Sequence, residues 1–372
     1  MHILEVIFRI LTIIGALGLF LYGMKLMSES LQKVAGTRMR KILTVVTARP
    51  AKGMLTGLVV TGIIQSSSAT TVMIVSFVNA GLISLTESIG VIMGANIGTT
   101  ITPWLITLLG FGKTFDIYVI LLPLVGISLP LFFSSGWRRR SWAEVIIGFV
   151  ILFLGLSLLK SNVPAFEQGT NIFEHFSADT DVSFFDIFLF VGIGILLTVI
   201  FQSSSATIAL TFVIATEGWI SFPLAAAMVL GENIGTTSTA IIASLVANSS
   251  AKRSALAHLI FNVLGVIGAL ILFRPFLLGV DYVIQNIDDV SPFTNHLAIP
   301  LGLSIFHTTF NMINTLILIN FIPFIVLITM KILPTGDEDA ETYRLKYIDS
   351  SVLSTSELSL FQAKKEHSQN AS

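Results

Sequence analysis

The chain of 372 residues contains no cysteine. Disulfides and thiolate metal centres are therefore excluded, although the absence does not fix a compartment. Charge is scarce too: Lys, Arg, Asp and Glu make up 12% of the residues and the formal net charge is −1. No basic surface is left for a nucleic acid, and a water-soluble domain of this length would lack its solvated shell. In place of charge stand 53% hydrophobic residues and a mean hydropathy of +0.87. Apolar runs recur that are long enough, at about 20 residues each, to cross a hydrocarbon layer of roughly 30 Å as helices. A β-barrel would show short alternating segments, and these runs do not alternate. An all-α integral membrane protein in a lipid bilayer is expected. The first run carries Glu5 and Arg9 without a small-residue cleavage site, so it reads as a retained span.

Against this apolar background one polar string appears twice. Gln65-Ser66-Ser67-Ser68-Ala69-Thr70 returns letter for letter as Gln202-Ser203-Ser204-Ser205-Ala206-Thr207. Asn96-Ile97-Gly98-Thr99-Thr100 returns as Asn233-Ile234-Gly235-Thr236-Thr237 at the same offset (202 − 65 = 233 − 96 = 137). Residues 65–102 laid over 202–239 agree at 16 of 38 positions, mostly at glycine and small polar residues. Core packing would more readily preserve apolar positions, so the unit is a repeat organised around polar chemistry.

Taken in order, a span at about 6–27 ends in a basic segment with Lys33, Arg38, Arg40, Lys41, Arg49 and Lys52, the signature of a cytoplasmic loop. Gly15, Gly18 and Gly23 offer that span surfaces for close helix packing. A re-entrant hairpin at about 53–80 follows, since four consecutive polar side chains at 65–68 are costly against lipid and are better buried at a turn between two half-helices. A span at about 85–109, broken at 94–100, leads past Lys113 to another at about 115–133 and to Arg138-Arg139-Arg140. The second copy opens with a span at about 142–159 and a loop carrying Glu167, Glu174, Asp179 and Asp181 on the outer side. Then come a hairpin at about 184–215, a broken span at about 222–246, the basic pair Lys252-Arg253, and spans at about 254–278 and 297–330 separated by an acidic segment at 281–289. This gives about seven full spans and an odd number per repeat, hence two inverted-topology repeats with the N-terminus outside and the C-terminus cytoplasmic. The expected divisions are a first repeat at 1–137, a second at 138–280, an additional span at 281–333 and a polar cytoplasmic tail at 334–372.

At a helix break inside a membrane, one half-helix points backbone N–H groups into the cavity and the other presents carbonyls. The serine hydroxyls and the amides of Gln65 and Gln202 can serve an oxyanion or a hard cation. Neither motif contains Lys, Arg or His, and only Lys25 lies at comparable depth. An anion there would be poorly neutralised by protein, so cations binding beside it are the natural remedy. An isolated Ser-Ser-Ser would suit helix packing; its duplication with a glutamine and a matched asparagine motif favours a ligand site. Glu232, replaced by Ala95 in the other copy, reads equally as a cation ligand or proton site and as a buried structural carboxylate. His258 with Asn262, and His307 with Asn311, are spaced for interhelical hydrogen bonding. Asn248-Ser249-Ser250 matches a glycosylation pattern but falls on the cytoplasmic side. No catalytic constellation is evident, and an enzyme is not expected.

The paired motifs, backed by Gly-Ala-Asn-Ile-Gly-Thr-Thr and Gly-Glu-Asn-Ile-Gly-Thr-Thr, resemble the type II sodium-dependent phosphate cotransporter family over about 15–330. The resemblance implies sodium-coupled movement of inorganic phosphate by alternating access in an inner or plasma membrane, with sodium as coupling ion and no other cofactor. It nominates Gln65, Ser66, Ser67, Ser68, Asn96, Gln202, Ser203, Ser204, Ser205 and Asn233 for phosphate. For sodium it nominates Gln65, Ser68, Thr70, Thr99, Thr100, Gln202, Ser205, Thr207, Thr236 and Thr237. Many bacterial members continue into a PhoU-like helical domain, and 347–366 resembles the lead-in to it; a regulatory interaction of that kind and a homodimer both stay open. A membrane signalling or scaffold subunit that binds phosphate without moving it is the alternative.

Overall fold

The computed structural model describes residues 2–45, 50–112, 117–164, 176 and 182–334. Regular structure among them is helical throughout. Arg49, Lys113, Glu167, Glu174, Asp179, Asp181 and the tail from 335 lie outside the described residues, as do the side chains of Arg38, Arg40 and Lys41.

The first half consists of α1 (His2–Val45), α2 (Pro50–Ile64), α3 (Ser67–Asn79), α4 (Leu85–Thr99), α5 (Ile101–Leu105) running into a π-helical turn (Ile106–Gly110), and α6 (Ile117–Phe132). The second contains α7 (Trp137–Asn162), α8 (Phe184–Phe201), α9 (Ser204–Thr216), α10 (Phe222–Gly235), α11 (Thr237–Ser244), α12 (Ser249–Ile271) and α13 (Phe273–Asp288). α14 (Ile299–Leu318) and α15 (Ile322–Ile332) close the described chain. Six helical stretches among the described residues are long and apolar enough to cross a membrane: Leu4–Ala35, Leu85–Gly110, Trp137–Asn162, Phe184–Phe201, Ser249–Ile271 and His296–Ile332. The protein is thus a multi-pass membrane protein. The count differs from the expected spans because α6 is short and α10 is interrupted, whereas α8, the first arm of a hairpin, is long enough to span by itself.

The offset of 137 found in the sequence reappears in the packing. Gly57 and Gly94 let α2 and α4 touch backbone to backbone: a Cβ on Gly57 would strike Val91 O, and one on Gly94 would strike Met54 O. In the second half Gly194 meets Met228 O and Gly231 meets Val191 O, the same pairs shifted by 137. Contacts along each pair advance together in residue number, so α2 runs parallel to α4 and α8 to α10. Between lipid-soluble surfaces there is no hydrophobic drive to associate, and such close approach supplies the dispersion that holds the helices instead. The positive-φ turn glycines Gly81 (φ 69°) and Gly218 (φ 83°) are likewise 137 apart.

α1 and α7 pack against each other along their length in the opposite sense. Ala16 and Phe20 lie against Gly155, Gly23 against Gly148 and Leu152, and Met27 against Gly148, so residue numbers rise on one helix as they fall on the other. Of the three glycines singled out in α1, only Gly23 is used this way; Gly15 and Gly18 have nothing within 4 Å of an added Cβ. α10 is buried at nearly every position from Phe222 to Gly235, and α4 from Ser88 to Gly98. Polar bonds tie these central helices to their neighbours: Ser88 Oγ with Ser254 Oγ at 2.9 Å, and Trp104 Nε1 to Thr308 Oγ1 at 2.9 Å.

The acidic segment 281–289, expected to separate two spans, is mostly the last two turns of α13. Phe273, Leu277, Val280 and Ile284 form a buried stripe on that helix, and Asp281 accepts from Gln285 (2.8 Å) and Ser291 (2.6 Å), which closes its end. Helical periodicity of 3 to 4 outweighed local charge. Asn248 is the N-cap of α12, its side chain accepting from Ala251 N, and is bound to Asn79.

Replacing Gly94 or Gly231 with leucine forces a side chain into the facing backbone, which is expected to cost about 3 kcal/mol or more. Thermal unfolding of the detergent-solubilised variants should show a clearly lowered midpoint, while Gly15→Ala and Gly18→Ala stay near wild type; equal midpoints for all four would contradict the packing described.

Candidate functional site

Each hairpin turns on a glutamine and a serine for local reasons. Gln65 (φ 57°) and Gln202 (φ 52°) adopt the left-handed conformation that ends α2 and α8. The next residue returns to extended backbone as an N-cap: Ser66 Oγ accepts from Ala69 N at 3.2 Å and Ser203 Oγ from Ala206 N at 3.3 Å. The glutamine amides fold back, Gln65 Nε2 donating to Gly62 O and Gln202 Nε2 to Val199 O. A threonine pair braces each turn from behind: Thr61 donates to Thr70 at 3.0 Å, and Thr198 to Thr207 at 2.9 Å. Left-handed glutamine is strained relative to glycine, so a residue with an amide at this position answers a need beyond making a turn.

The two turns open onto one cavity of about 590 Å³, lined by Gln65, Ser66, Ser67 and Ser68 from one hairpin and Gln202, Ser203, Ser204 and Ser205 from the other. The eight glutamine and serine residues of the paired strings therefore meet in space, although 137 positions separate the two sets. The hydroxyls of Ser67, Ser68, Ser204 and Ser205 make no hydrogen bond to a described residue. In the first turn of each helix the N–H groups of Ser67 and Ser68, and of Ser204 and Ser205, have no intrahelical acceptor. Two helix N-termini with their positive dipole ends thus converge on one polar chamber.

A third wall comes from α1, through Leu21, Met24, Lys25, Ser28, Glu29 and Gln32. Met24 Sδ takes a weak hydrogen bond from Ser203 Oγ (3.9 Å), and Gln32 Nε2 reaches Ser28 Oγ at 3.4 Å. Apart from Lys25 this wall escaped the sequence reading. Its signal was there in the polar positions 25, 28, 29 and 32, spaced for one helical face within an apolar span. Thr102 also went unnoticed; its Oγ1 donates to Gln65 Oε1 at 3.0 Å and orients that amide.

The other nominated residues stand away from the cavity. Thr70 and Thr207 are fully buried in the braces behind the turns. Asn96 faces α12, its Nδ2 donating to Asn262 Oδ1 at 2.8 Å and its Oδ1 lying 3.4 Å from His258 Nε2. The interhelical role expected of His258 and Asn262 is thereby met, with Asn96 as their partner. Asn233 bonds back to Val229 O, and Thr99, Thr100 and Thr237 to carbonyls of their own helices. Helix interiors offer these short side chains a nearer acceptor one turn back, which holds them on the helix wall. Thr236 Oγ1 is buried without a partner. Glu232 is buried with its Oε1 at 3.8 Å from His307 Nε2, and its Oε2, His307 Nδ1 and Asn311 Oδ1 lack partners. Among the described residues no group of three or more His, Cys, Asp or Glu could hold a metal ion; the donors of the two turns are neutral oxygens suited to a hard cation.

A family model described as Na+/Pi-cotransporter matches residues 19–161 and 186–282, which takes in both hairpins. YqeW of Bacillus subtilis, an uncharacterised protein, is 35% identical over 262 residues, covering 69% of this chain and 79% of its own length. YjbB of Salmonella typhimurium, named as a candidate inorganic phosphate exporter, is 28% identical over 358 residues; 96% of this chain is covered and 62% of YjbB. The sodium-dependent phosphate transport protein 2A of Rattus norvegicus is 36% identical over 107 residues, 28% of this chain and 16% of that protein. No solved structure matches. With both polar turns inside the matched segments, the chain belongs to the Na+/Pi-cotransporter family.

Proposed function

We propose that this protein is a sodium:phosphate symporter that binds inorganic phosphate between the two hairpin turns and works by alternating access. The observation that carries the reading is the single cavity shared by Gln65–Ser68 and Gln202–Ser205. Hydroxyls and helix N-terminal N–H groups from both turns can wrap an oxyanion without charged ligands. Their carbonyl, hydroxyl and amide oxygens, Gln65, Ser68, Gln202 and Ser205 foremost, can hold sodium beside it. Thr70 and Thr207 would keep the turns in shape for both ions. Roles for Asn96, Asn233, Thr99, Thr100, Thr236 and Thr237 require the broken helices to turn toward the chamber during the cycle.

Coupling follows from electrostatics. A multiply charged anion in a low-dielectric chamber bears a large desolvation cost, and each co-bound cation a few ångströms away offsets part of it. Phosphate without sodium, or sodium without phosphate, occupies the site less favourably than both together. Two of the relatives are named for phosphate, one for its sodium-dependent transport and one for its export; in this reading the gradients set the direction of net flow.

Alternation needs two halves of opposite orientation, and we place the repeats in that relation. α1 and α7 are the opening helices of the two repeats and pack antiparallel in a reciprocal register: Gly23 lies against Leu152 as Gly155 lies against Phe20. An in-plane pseudo-twofold axis generates that kind of contact. The first hairpin ends at Asn79, tied to Asn248 at the start of α12, whereas the second ends near Trp219, whose Nε1 donates to Pro164 O just past the end of α7. The basic start of α7, Arg138 to Arg140, lies with the Lys33 end of α1 through Glu144. Applying the positive-inside rule to these segments puts the N-terminus outside and the C-terminus in the cytoplasm of an inner or plasma membrane.

Radiolabelled phosphate uptake into proteoliposomes should rise several-fold when an inward sodium gradient is imposed; uptake indifferent to sodium would remove the coupling, and saturable binding without flux would replace transport with a phosphate-binding subunit. Ser67→Ala and Ser204→Ala should each weaken phosphate binding about tenfold or more, the loss of one hydrogen bond to a charged ligand. Ser76→Ala, whose hydroxyl serves Val72 O on an exposed part of α3, should not. Equal affinities across the three variants would dissociate phosphate from the turns.

A further inference from the structure

The two turns contribute neutral donors to the cavity; its charged lining residues, Lys25 and Glu29, both stand on α1 one helical turn apart. Their charged atoms lie 3.8 Å from each other, with side chains 73% and 53% exposed. An ion pair that open to solvent contributes little, so either partner can be drawn away cheaply. Lys33, the next basic residue on the helix, is not available for the cavity: its Nζ is held by Glu144 at 3.0 Å. Position 25 also lies next to Met24, which carries the contact with Ser203 and so docks α1 beside the second turn.

We propose that Lys25 is the protein's own counter-charge for the bound oxyanion, kept in check by Glu29, so that this pair sets the affinity of the cavity for phosphate. The inference rests on the reading of the cavity as an oxyanion site and assigns it a charged member that the paired motifs lack. Lys25 leans on Glu29. A phosphate between the turns is a better partner, because it brings higher charge and because the same oxygens are already held by serine hydroxyls and backbone N–H groups. The long flexible lysine stem lets the ammonium swing the distance without moving the helix. Glu29, left behind at the rim, opposes the anion and favours the arrival of a cation. Lys25 supplies one positive charge and sodium has to supply the remainder, which lessens the burden that purely neutral turns would place on the coupling ions.

The experiment is calorimetric titration of inorganic phosphate, with sodium present, into the detergent-solubilised full chain, repeated for Lys25→Gln, Lys25→Arg, Glu29→Gln and the Lys25→Gln/Glu29→Gln pair. Lys25→Gln should weaken phosphate binding about tenfold and Lys25→Arg by no more than about threefold, as expected for one charge-assisted bond. Glu29→Gln should tighten binding, and most of that gain should vanish when Lys25 is already replaced, since a freed ammonium is its source. Phosphate affinity unchanged in Lys25→Gln, or a Glu29→Gln gain of the same size in both backgrounds, would overturn the assignment while leaving the cavity reading in place. Wild-type protein that takes up no phosphate would overturn both.

Discussion

An ion in the middle of a bilayer must be solvated by something, and in this protein the available material is the end of a helix. The polar cavity is built from two points where a helix stops inside the protein and a new one starts. At each the backbone gives up a few internal hydrogen bonds and leaves N–H groups directed into a chamber. Such ends are tolerable at membrane depth only when they are shielded from lipid and can meet water or a ligand. The cavity between Ser66–Ser68 and Ser203–Ser205 gives both helix ends a common polar space. Gln65 and Gln202 make the break sharp, and the Thr61–Thr70 and Thr198–Thr207 bonds keep it from unwinding. The glycine contacts of α2 with α4 and of α8 with α10 then hold each hairpin against a buried helix, so the chamber has firm walls on two sides.

The two turns bring equal Gln-Ser-Ser-Ser linings to the cavity and unequal supports behind them. Gln65 Oε1 receives a hydrogen bond from Thr102; Thr239, its counterpart 137 residues on, bonds to Thr236 O instead. Asn96 of α4 and the pair His258 and Asn262 of α12 form an interhelical network in which His258 Nδ1 has no partner. Glu232, His307 and Asn311 likewise retain unpaired buried atoms.

How much of this could be read from the residues depended on whether the chemistry was local. The turns were legible because Gln-Ser-Ser-Ser carries its own cap, and a cap needs no tertiary information. Their convergence was suggested by the shared offset, because a duplicated polar unit in an apolar chain has few reasons to exist apart from a common ligand. The α1 wall was obscured, since Lys25, Ser28, Glu29 and Gln32 are interleaved with Leu31, Met27 and other apolar residues and emerge as one surface only when the helix is wound. The pairing of Asn96 was hidden for the converse reason: its motif repeats, but its partners on α12 do not announce themselves in sequence. The segment 281–289 looked like a separator of two spans by its charge, and the stripe Leu277, Val280 and Ile284 shows most of it to be helix.

The central claim is that one ligand touches both turns at once. Because the chain has no cysteine of its own, single cysteines at Ala69 and at Phe201, both on the cavity wall, can be followed by their rate of modification with a thiol reagent. Phosphate added together with sodium should slow the reaction at both positions to the same extent and over the same concentration range. Protection at one position alone, or at neither while phosphate is still taken up, would contradict a shared site between the hairpins.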